Sequence, residues 1–387
     1  MKRNGWKVSI AHLTIRPASS RTPLNTLFPK QSSVADHYRN ILCVRADNMG
    51  DVIMSSPAFR ALKETYRCRI TLLTSGAGSV IAPYLECIDD VIVADLPWVK
   101  TNGGNAAALL SLAEEIRKRN FDAGIVFTVY SQSSLPAAML LFMAGVPVRA
   151  AYARENPYDL INRWAPDHEP YDTIRHQVRR DLDLVASLGA HADNERLELK
   201  MKEQDEESLL KKLNQRDIDL HSPYIILHPG VSEVKREYPA ERWIAAGKLL
   251  AQEYKLPLLV TGSATESELA GRIAEGIGMN ALSIAGMLTI GEFIWLVNGA
   301  RCVVSVNTGT IHIAAAIQTP TVVLYAQTNP QHTPWQSPHE ILSFSIPEKL
   351  KSRNTIIGYV NQKLYTTDIP FPQPQQILSA VAKLIEK

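Results

Sequence analysis

The alternation of short apolar runs with longer helical patterns most constrains how this 387-residue chain can fold. Runs rich in β-branched residues, such as RITLLT at 69–74 and CVVSV at 302–306, are separated by stretches with the apolar spacing of amphipathic helices. Continuously apolar strands of this kind are typical of parallel sheets that are buried on both faces. The sequence therefore predicts an α/β fold in which helices cover parallel sheets.

The predicted strands fall into two groups. The groups are 41–45, 69–74, 91–94, 122–128 and 146–152, followed by 224–228, 257–261, 281–284, 302–306 and 321–325. Helical patterns lie between them, for example at 57–66 and 107–119, and a last amphipathic helix is predicted at about 373–386. A charged stretch at 193–223 has few large apolar residues, which is typical of a domain boundary.

Two Rossmann-like domains that face a central cleft are the predicted architecture, because the chain is too long for one ordinary core. The predicted segments are a basic flexible leader at 1–40, an N-terminal domain at 41–195, a charged linker at 196–222, a C-terminal domain at 223–370 and a C-terminal helix at 371–387. Ligands of such sheets bind at the carboxyl ends of the strands, so we expect a site in the cleft.

Composition excludes several classes of protein. The net charge is only +2, so the sequence gives no general case for a nucleic-acid partner. The four cysteines are scattered without a C-x-x-C pair, which favours buried thiols in a reduced cytoplasmic setting over a zinc site or a disulfide framework. The longest apolar run, LPAAMLLFMAGVPV at 135–148, is too short to span a bilayer and is predicted to be a buried helix that leads into a strand.

The first 35 residues are basic and contain no acid before Asp36. This composition loosely resembles an organelle transit peptide, but it has neither an apolar core of signal-peptide length nor a small-residue cleavage site. We favour the interpretation that the segment is a flexible arm with a weak attraction to anionic lipid.

An acid stands at the first strand-to-helix turn, in ILCVRADNMGDVIMSSPAFRALK at 41–63. Ser56 is predicted to be the N-cap of the helix, with Pro57 at its first position. Asp51 would then lie in the loop at the carboxyl end of the strand and face the cleft. Spacing alone leaves a second role open, because a carboxylate also stabilises a helix N-terminus by capping it.

The strand CVVSV in the second half leads into a predicted anion site. Asn307, Thr308, Gly309 and Thr310 open a helix whose free backbone N–H groups can bind a phosphate, and Gly309 lets the phosphate approach closely. His312 follows in the first turn and can add a donor. Its alternative role is that of a partly buried residue that hydrogen-bonds locally.

A basic pair follows the first strand of the second half, in HPGVSEVKREYPAERW at 228–243. Lys235 and Arg236 precede a helix that is predicted to start near Pro239, where they can clamp a diphosphate. The alternative is a solvated charged loop.

Three other patterns are interpreted as structural. GAGSVIA at 76–82 is an incomplete dinucleotide fingerprint, because Ile81 occupies the third glycine position. The acidic pairs DLD at 181–183 and DID at 217–219 are interpreted as solvated faces, so no metal is predicted. A group of basic residues is likewise interpreted as a solvated face rather than as a site for an acidic acceptor: Arg149, Arg154, Arg175, His176, Arg179 and Arg180.

Taken together, the motifs resemble family 9 of the glycosyltransferases, which includes the ADP-heptose:lipopolysaccharide heptosyltransferases. The resemblance covers about residues 40–385 and rests on RADNMGDVIMSSPAFRALK, HPGVSEVKREYPAERW and SVNTGTIHIAAAIQTPTVVLYAQTNP in this order. It implies a glycosyltransferase-B fold and inverting transfer without a metal or other cofactor. The N-terminal domain would bind the acceptor, and the C-terminal domain would bind the nucleotide sugar.

The resemblance also implies roles for individual residues. It makes Asp51 the catalytic base and Arg236 the phosphate-binding cation, with Lys235 as the neighbouring candidate. It assigns Thr308, Gly309, Thr310 and His312 to the donor phosphates, and Glu266, Met287 and Asn307 to the donor nucleoside. Two departures affect the donor site: Asn307 replaces an acid, and AQTNP at 326–330 replaces the usual GPTDP.

The function expected from this resemblance is transfer of a heptose or a related sugar from an ADP-sugar to a glycan or glycolipid acceptor, with the lipopolysaccharide inner core as the leading acceptor. A non-catalytic nucleotide-sugar-binding protein and a nucleotide-dependent oxidoreductase are the alternatives. We expect a cytoplasmic monomer without a nucleic-acid partner, and peripheral contact with the inner membrane surface is compatible with its acceptor.

Overall fold

The computed structural model describes residues 37–99, 104–216, 218, 220, 222–278 and 280–386. The predicted leader at 1–40 lies outside these residues except for its last four, and Asp217 and Asp219 of the second acidic pair also lie outside them. Within the described residues, twelve strands form two six-stranded sheets, and the paired strands are parallel.

The first sheet belongs to the N-terminal half and has the order β3-β2-β1-β4-β5-β6. Its strands are β1 (Asn40–Val44), β2 (Arg69–Thr74), β3 (Asp90–Val93), β4 (Ala123–Val126), β5 (Val148–Ala153) and β6 (Arg163–Pro166). The helices of this half are α1 (Met49–Tyr66), α2 (Gly76–Ser79), α3 (Ala106–Lys118), α4 (Leu135–Met143) and α5 (Gln177–Ala186).

The second sheet has the order β12-β11-β10-β7-β8-β9. Its strands are β7 (Ile225–His228), β8 (Leu258–Val260), β9 (Ala281–Ser283), β10 (Cys302–Val306), β11 (Thr321–Ala326) and β12 (His339–Phe344). The remaining helices are α6 (Glu203–Asn214), α7 (Ala240–Tyr254), α8 (Ser267–Ile277), α9 (Ile290–Gly299), α10 (Gly309–Ala316), α11 (Thr355–Leu364) and α12 (Pro374–Ile385).

Both sheets have the same topology. When the strands of each half are counted from its first strand, the order in both is 3-2-1-4-5-6. The order reverses between β1 and β4 in the first sheet and between β7 and β10 in the second, and ligands of open α/β sheets bind at such switch points. The turns after β1, β7 and β10 carry the three sequence motifs, so the prediction of a parallel α/β fold with two Rossmann-like halves is confirmed.

The predicted start of the first helix is wrong. Helix α1 begins at Met49, after Asn48 as N-cap, and both Ser56 and Pro57 are buried in its interior. Pro57 has no N–H for the carbonyl of Ile53, which lies four residues earlier. The hydroxyl of Ser56 donates to that carbonyl at 2.7 Å instead, so the helix continues through the proline.

The interval predicted to be a charged linker contains helix α6, which packs on α9. Ser208 donates to Oε1 of Glu292 at 2.6 Å, and Nζ of Lys212 donates to Oε2 of the same carboxylate at 2.7 Å. Charged residues here join two helices rather than only linking two domains. The domain boundaries themselves stay a prediction.

Basic residues near α5 do not form the predicted solvated face. Arg180 is fully buried, and its guanidinium donates to Asp167 at 2.8 Å and to Glu169 at 2.5 Å. Asp181 is buried as well, accepts from Ser55 at 2.6 Å and from Gln177 at 2.7 Å, and has a pKa that burial raises to about 6. These side chains stabilise the first half internally.

The four cysteine thiols are buried and free. None of the helices in the described part of the chain is long and apolar enough to cross a membrane.

Candidate functional site

The N-terminal ends of α1 and α10 meet between the two sheets. A Cβ atom on Gly50 would lie 2.9 Å from Cδ2 of His312 and 3.3 Å from Cα of Gly309. A Cβ atom on Gly309 would lie 2.7 Å from Cε of Met49. Two glycines therefore permit the approach that brings the Gly-Asp turn of the first half against the Thr-Gly turn of the second.

The carboxylate of Asp51 lies in the first turn of α1 and is held on two sides. Its Oδ2 accepts from the backbone N–H of Asn48 at 3.2 Å, and its Oδ1 accepts from Nη2 of Arg45 at 3.1 Å. The side chain keeps 14% of its surface exposed. Asp51 thus caps the helix and also borders the cleft, so the two roles that the sequence left open are compatible.

Arg45 is a residue that the sequence analysis did not assign to the site. It is the first residue after β1, its side chain is fully buried, and its Nη1 lies 3.5 Å from Oδ2 of Asp47. Its Nε and Nη1 have no hydrogen-bond partner in the described residues. A buried guanidinium beneath Asp51 fixes the orientation of that carboxylate.

The start of α10 has polar atoms without partners. Oγ1 of Thr308, the N-cap, and Nδ1 of His312 are buried and make no hydrogen bond within the described part of the chain. Burial, followed by the nearby His332, holds the pKa of His312 well below its usual value. The imidazole is therefore neutral at neutral pH and can still donate or accept a hydrogen bond.

The basic pair after β7 reaches the same turn. Nη1 of Arg236 donates to the carbonyl of Asn307 at 3.1 Å, beside the start of α10. Glu233 holds both cations: its carboxylate oxygens lie 2.6 Å from Nη2 of Arg236 and 2.7 Å from Nζ of Lys235. Burial alone would raise the pKa of Glu233, but the hydrogen bond from Lys235 and the charge of Arg236 lower it below its usual value.

A cavity of about 260 Å³ opens beside the start of α10. Its apolar wall includes Ile284, Leu288 and Phe293, and its polar wall includes His228 and Glu266. The predicted residues Thr308, Gly309 and Thr310 also line it. A mostly apolar cavity with a few polar groups next to an anion site has the character of a nucleoside pocket.

Two residues of this cavity have informative contacts. The carboxylate of Glu266 accepts from the N–H and the hydroxyl of Ser263 at 2.6 and 2.8 Å, and it lies where a Cβ on Gly230 would be. His228 was missed, although it ends a predicted strand at the carboxyl edge; its Nδ1 bonds Oγ1 of Thr261 at 2.9 Å. Burial lowers the pKa of His228 to about 4, so it too is neutral.

Met287 and Asn307 are not among the residues that line the cavity. The carbonyl of Met287 accepts from Lys212 at 3.1 Å, and the neighbouring Leu288 faces the cavity instead. The amide of Asn307 accepts from the N–H of Ala326 at 3.1 Å and donates to Oγ1 of Thr328 at 3.1 Å. Asn307 therefore ties the ends of β10 and β11 together, a task that needs both a donor and an acceptor.

The loop at 327–338, after β11, crosses to the first half. Gln331 is fully buried there: its backbone carbonyl accepts from the N–H of Gln177 at 3.0 Å, and its Nε2 donates to the carbonyl of Arg175 at 3.0 Å. The next residue, His332, places its Nε2 at 3.7 Å from Oδ1 of Asp51. The family resemblance marks only the start of this loop, AQTNP at 326–330, and no local sequence signal marks the rest as part of the site.

No group of three or more His, Cys, Asp or Glu side chains in the described ranges is arranged to hold a metal ion. The absence of a metal requirement stays a prediction.

Comparisons with known proteins agree with this geometry. The sequence model of glycosyltransferase family 9 (heptosyltransferase) matches residues 109–357, more than half of the chain. The chain is 27% identical over 302 residues to lipopolysaccharide heptosyltransferase 1 of Pseudomonas aeruginosa, an alignment that covers 76% of this chain and 80% of that protein.

Two solved structures share the fold. A family 9 glycosyltransferase from Veillonella parvula has a TM-score of 0.73 at 17% identity, and the match covers 91% of this chain and 98% of that one. The E. coli ADP-heptose LPS heptosyltransferase II has a TM-score of 0.67 at 20% identity, with 90% and 98% covered. The two facing Rossmann-like halves, the motif-bearing turns in the cleft and the family match lead to one conclusion: the chain belongs to glycosyltransferase family 9 and is a glycosyltransferase with a glycosyltransferase-B fold.

Proposed function

We propose that this enzyme transfers a heptose, or a closely related sugar, from an ADP-sugar to a hydroxyl of a glycan acceptor, with inversion at the anomeric carbon and without a metal ion. The observation that carries the proposal is the meeting of two helix starts. One bears the carboxylate of Asp51, and the other presents the unpartnered Thr308 Oγ1 and His312 Nδ1 beside a nucleoside-sized cavity.

The donor would lie along the second half. Its adenosine would occupy the cavity between Phe293 and Glu266, with the ribose hydroxyls within reach of that carboxylate. Its diphosphate would lie over the start of α10, where free N–H groups and the helix dipole favour negative charge. The donor identity is also consistent with the names of the relatives, one of which is an ADP-heptose LPS heptosyltransferase.

Asp51 would act as the general base. It would take the proton of the acceptor hydroxyl while the oxygen attacks the anomeric carbon and the bond to the diphosphate breaks. A positioned base of this kind contributes about 10²- to 10⁴-fold in rate. Arg45 would keep the carboxylate oriented before the acceptor arrives.

The charge that develops on the leaving diphosphate would be stabilised by Arg236, by Lys235 and by the amides of α10. Both cations are held by Glu233 in this structure, so the donor phosphates would replace that carboxylate as their partner. Removing one preorganised donor to such a charge typically costs about 3 to 4 kcal/mol.

The acceptor would bind to the first half, since Asp51 belongs to it. We further propose that the acceptor is the inner core of lipopolysaccharide, in line with the names of the relatives, and that a monomer meets this glycolipid at the cytoplasmic surface of the inner membrane.

A screen of nucleotide sugars tests the proposal. Ligands that bind the native state raise the melting temperature by mass action, so ADP-sugars should stabilise the protein more than UDP- or GDP-sugars. The ligand that stabilises most is then assayed for transfer to lipid A carrying the first core sugars, and the anomeric configuration of the product is read by NMR. Stabilisation by NAD(P) but by no nucleotide sugar would contradict the proposal, and so would a product with retained configuration.

A further inference from the structure

The imidazole of His332 faces the carboxylate of Asp51 with a hydrogen-bonding pattern that defines where its own proton lies. Nε2 of His332 is 3.1 Å from Nδ2 of Asn329, and Oδ1 of that asparagine accepts from the backbone N–H of Gln331 at 3.0 Å. Because an N–H donor fixes the oxygen of the amide, the amide nitrogen must be the atom that faces the imidazole. In the neutral ring, Nε2 is therefore the acceptor and Nδ1 carries the proton.

This tautomer leaves two proton acceptors next to each other. Nε2 of His332 and Oδ1 of Asp51 are 3.7 Å apart, too far for a hydrogen bond, and neither atom has a proton to share while Asp51 is ionised. The contact becomes favourable only when Asp51 carries a proton. Catalytic hydrogen bonds are often long in structures without substrate, so a shift of about 1 Å on protonation is within the ordinary range.

The loop that carries His332 is firmly anchored in the first half. The side chain of Gln331 is fully buried and joins Arg175 and the N–H of Tyr130, so the position of the next residue is fixed relative to the sheet that carries Asp51. The imidazole keeps 21% of its surface exposed, which gives a proton a route to water.

We propose, on the basis of the function proposed above, that His332 is a positioning residue that relays the proton from Asp51 to solvent after each transfer. The amide N–H of Asn329, which donates to Nε2 in this structure, turns away to free the lone pair of that nitrogen. The Oδ1–H bond of Asp51 then breaks as the Nε2–H bond of His332 forms, which restores the carboxylate. The imidazolium then gives its proton to water or to a buffer base. The step regenerates the base and leaves the sugar-transfer step itself unchanged.

The surroundings of His332 favour rapid release of that proton. Burial first, and then the positive charges of Arg45 and Arg236, hold the pKa of His332 well below its usual value. Asp51 and His312 lie beside the ring, and Arg45, Arg236 and His176 act on it through their charges. When an anionic donor is bound, it offsets the charge of Arg236, so the ring becomes a better acceptor when Asp51 is about to need one.

Kinetics of His332→Gln and His332→Ala test the relay. A single turnover starts with Asp51 already ionised, so its rate should equal that of the wild type. Steady-state kcat should fall about 100-fold, at the low end of the range for a lost acid–base group, while the KM for the nucleotide sugar stays unchanged. Free imidazole should restore steady-state turnover of His332→Ala. A purely structural role would slow both regimes equally.

His168→Ala is the matched control, because this histidine is 58% exposed and pairs with Asp172 on the surface. Both of its rates should equal those of the wild type. Equal losses in the two regimes for the His332 variants, normal turnover in both, or a complete loss that imidazole does not rescue would each overturn the relay. Failure of the wild-type chain to transfer sugar at all would overturn the proposed function, and the relay with it.

A second measurement does not depend on turnover or on the folding of a variant. Long-range ¹H–¹⁵N spectra of the histidine-labelled wild-type protein report which ring nitrogen is protonated. We expect His332 to be the neutral Nδ1–H tautomer at neutral pH. A proton on Nε2 would make the ring a simple donor to Asp51 and would overturn the relay.

Discussion

Helices α1 and α10 both begin at the switch points of their sheets, α1 after the first strand of its half and α10 after the fourth. Their first turns are occupied differently. The first turn of α1 contains its own anion, Asp51, which accepts from the N–H of Asn48. The first turn of α10 contains no acid, and buried polar atoms of Thr308 and His312 have no partner there among the residues that the structure describes. The positive end of the helix dipole is therefore neutralised by a side chain in α1, and in α10 it is free to bind an anionic ligand.

The arginines near the two helix starts differ in the same way: one is paired inside its own half, and the other can exchange its partner for a ligand. Arg45 is fully buried and is paired permanently with carboxylates of its own half. Arg236 is partly exposed and pairs with Glu233, whose side chain is 42% exposed. A bound diphosphate can replace that carboxylate as the partner of Arg236. The proposed transfer needs one fixed charge beside its base and one exchangeable charge for its donor, and these two charges belong to different halves.

The contrast between the two helix starts would be wrong if Asp51 only caps α1 and takes no part in the transfer. Asp51→Asn should lower the rate of sugar transfer by about 10²- to 10⁴-fold and leave nucleotide-sugar affinity unchanged, because the base is lost and the donor half is untouched. Transfer is measured by product formation and affinity by calorimetry. Asp47→Asn, which removes the other carboxylate beside Arg45, should have a much smaller effect. Folded D51N protein with near wild-type transfer would contradict the assignment.

Arg236 tests the exchangeable charge of the other helix. Arg236→Ala should lower the efficiency of transfer by about 10²- to 10³-fold, because a preorganised donor to the leaving diphosphate is removed. Lys235→Ala should cost less, since only Arg236 also bonds the carbonyl of Asn307 beside α10. A larger loss in Lys235→Ala, measured by the same kcat/KM assay, would reverse the order of the two residues.

The close approach of the two helix starts is tested by Gly50→Ala. The new Cβ would lie 2.9 Å from the His312 ring, and overpacking of this kind costs about 1 to 3 kcal/mol. Sugar transfer should fall more than donor affinity, because the base moves away from the donor. The control is Gly271→Ala inside α8, where a Cβ meets nothing within 4 Å; it should stabilise the fold by about 0.5 to 1 kcal/mol in thermal unfolding.

Replacement of Glu233 should raise the affinity for the nucleotide sugar, whereas the preceding substitutions lower activity. Glu233→Gln removes the internal competitor for both cations, and partly exposed ion pairs are worth about 0.2 to 1 kcal/mol. Nucleotide-sugar affinity by calorimetry should therefore rise up to about fivefold. Glu237→Gln removes the same charge from an exposed position of the same turn and should leave affinity nearly constant. Weaker binding by E233Q would mean that Glu233 positions the cations rather than competing for them.

The smallest effect concerns pH. The pKa of His312 lies well below its usual value because the ring is buried, so His312 is neutral above that value. An anionic ligand favours the protonated ring, and affinity can rise only as the pH falls towards the lowered pKa. ADP-sugar affinity should thus stay constant between about pH 8 and pH 6, where an ordinary histidine would titrate. A rise over this range that His312→Gln abolishes would show that α10 carries a positive charge of its own.

The central strands and the motif-bearing turns could be predicted because they are local. Strands such as β1 and β10 are apolar along their whole length, and the carboxyl ends of parallel strands share one edge, which places Asp51 and Thr308 in a cleft. The edge strands β6 and β12 were missed because they are partly exposed and have a mixed composition. The other two edge strands, β3 and β9, were predicted although they too are partly exposed, so exposure alone does not hide a strand.

The remaining site residues depend on contacts that no local pattern encodes. His332 lies near Asp51 only because a loop from the second half crosses into the first. Arg180 has the sequence surroundings of an exposed helix, yet Asp167 and Glu169 from another segment neutralise it in the interior. Such long-range pairing depends on how the sheets and their loops come together, and a single sequence does not record it.

The buried Gln331 has a consequence for protein engineering. Its side chain and carbonyl are partners of three backbone groups, the N–H of Tyr130, the carbonyl of Arg175 and the N–H of Gln177. A separately produced N-terminal fragment would lose all three of these bonds. A split enzyme, or a chimaera that exchanges acceptor specificities, should therefore transplant residues 327–338 together with the N-terminal part rather than cut cleanly between the sheets.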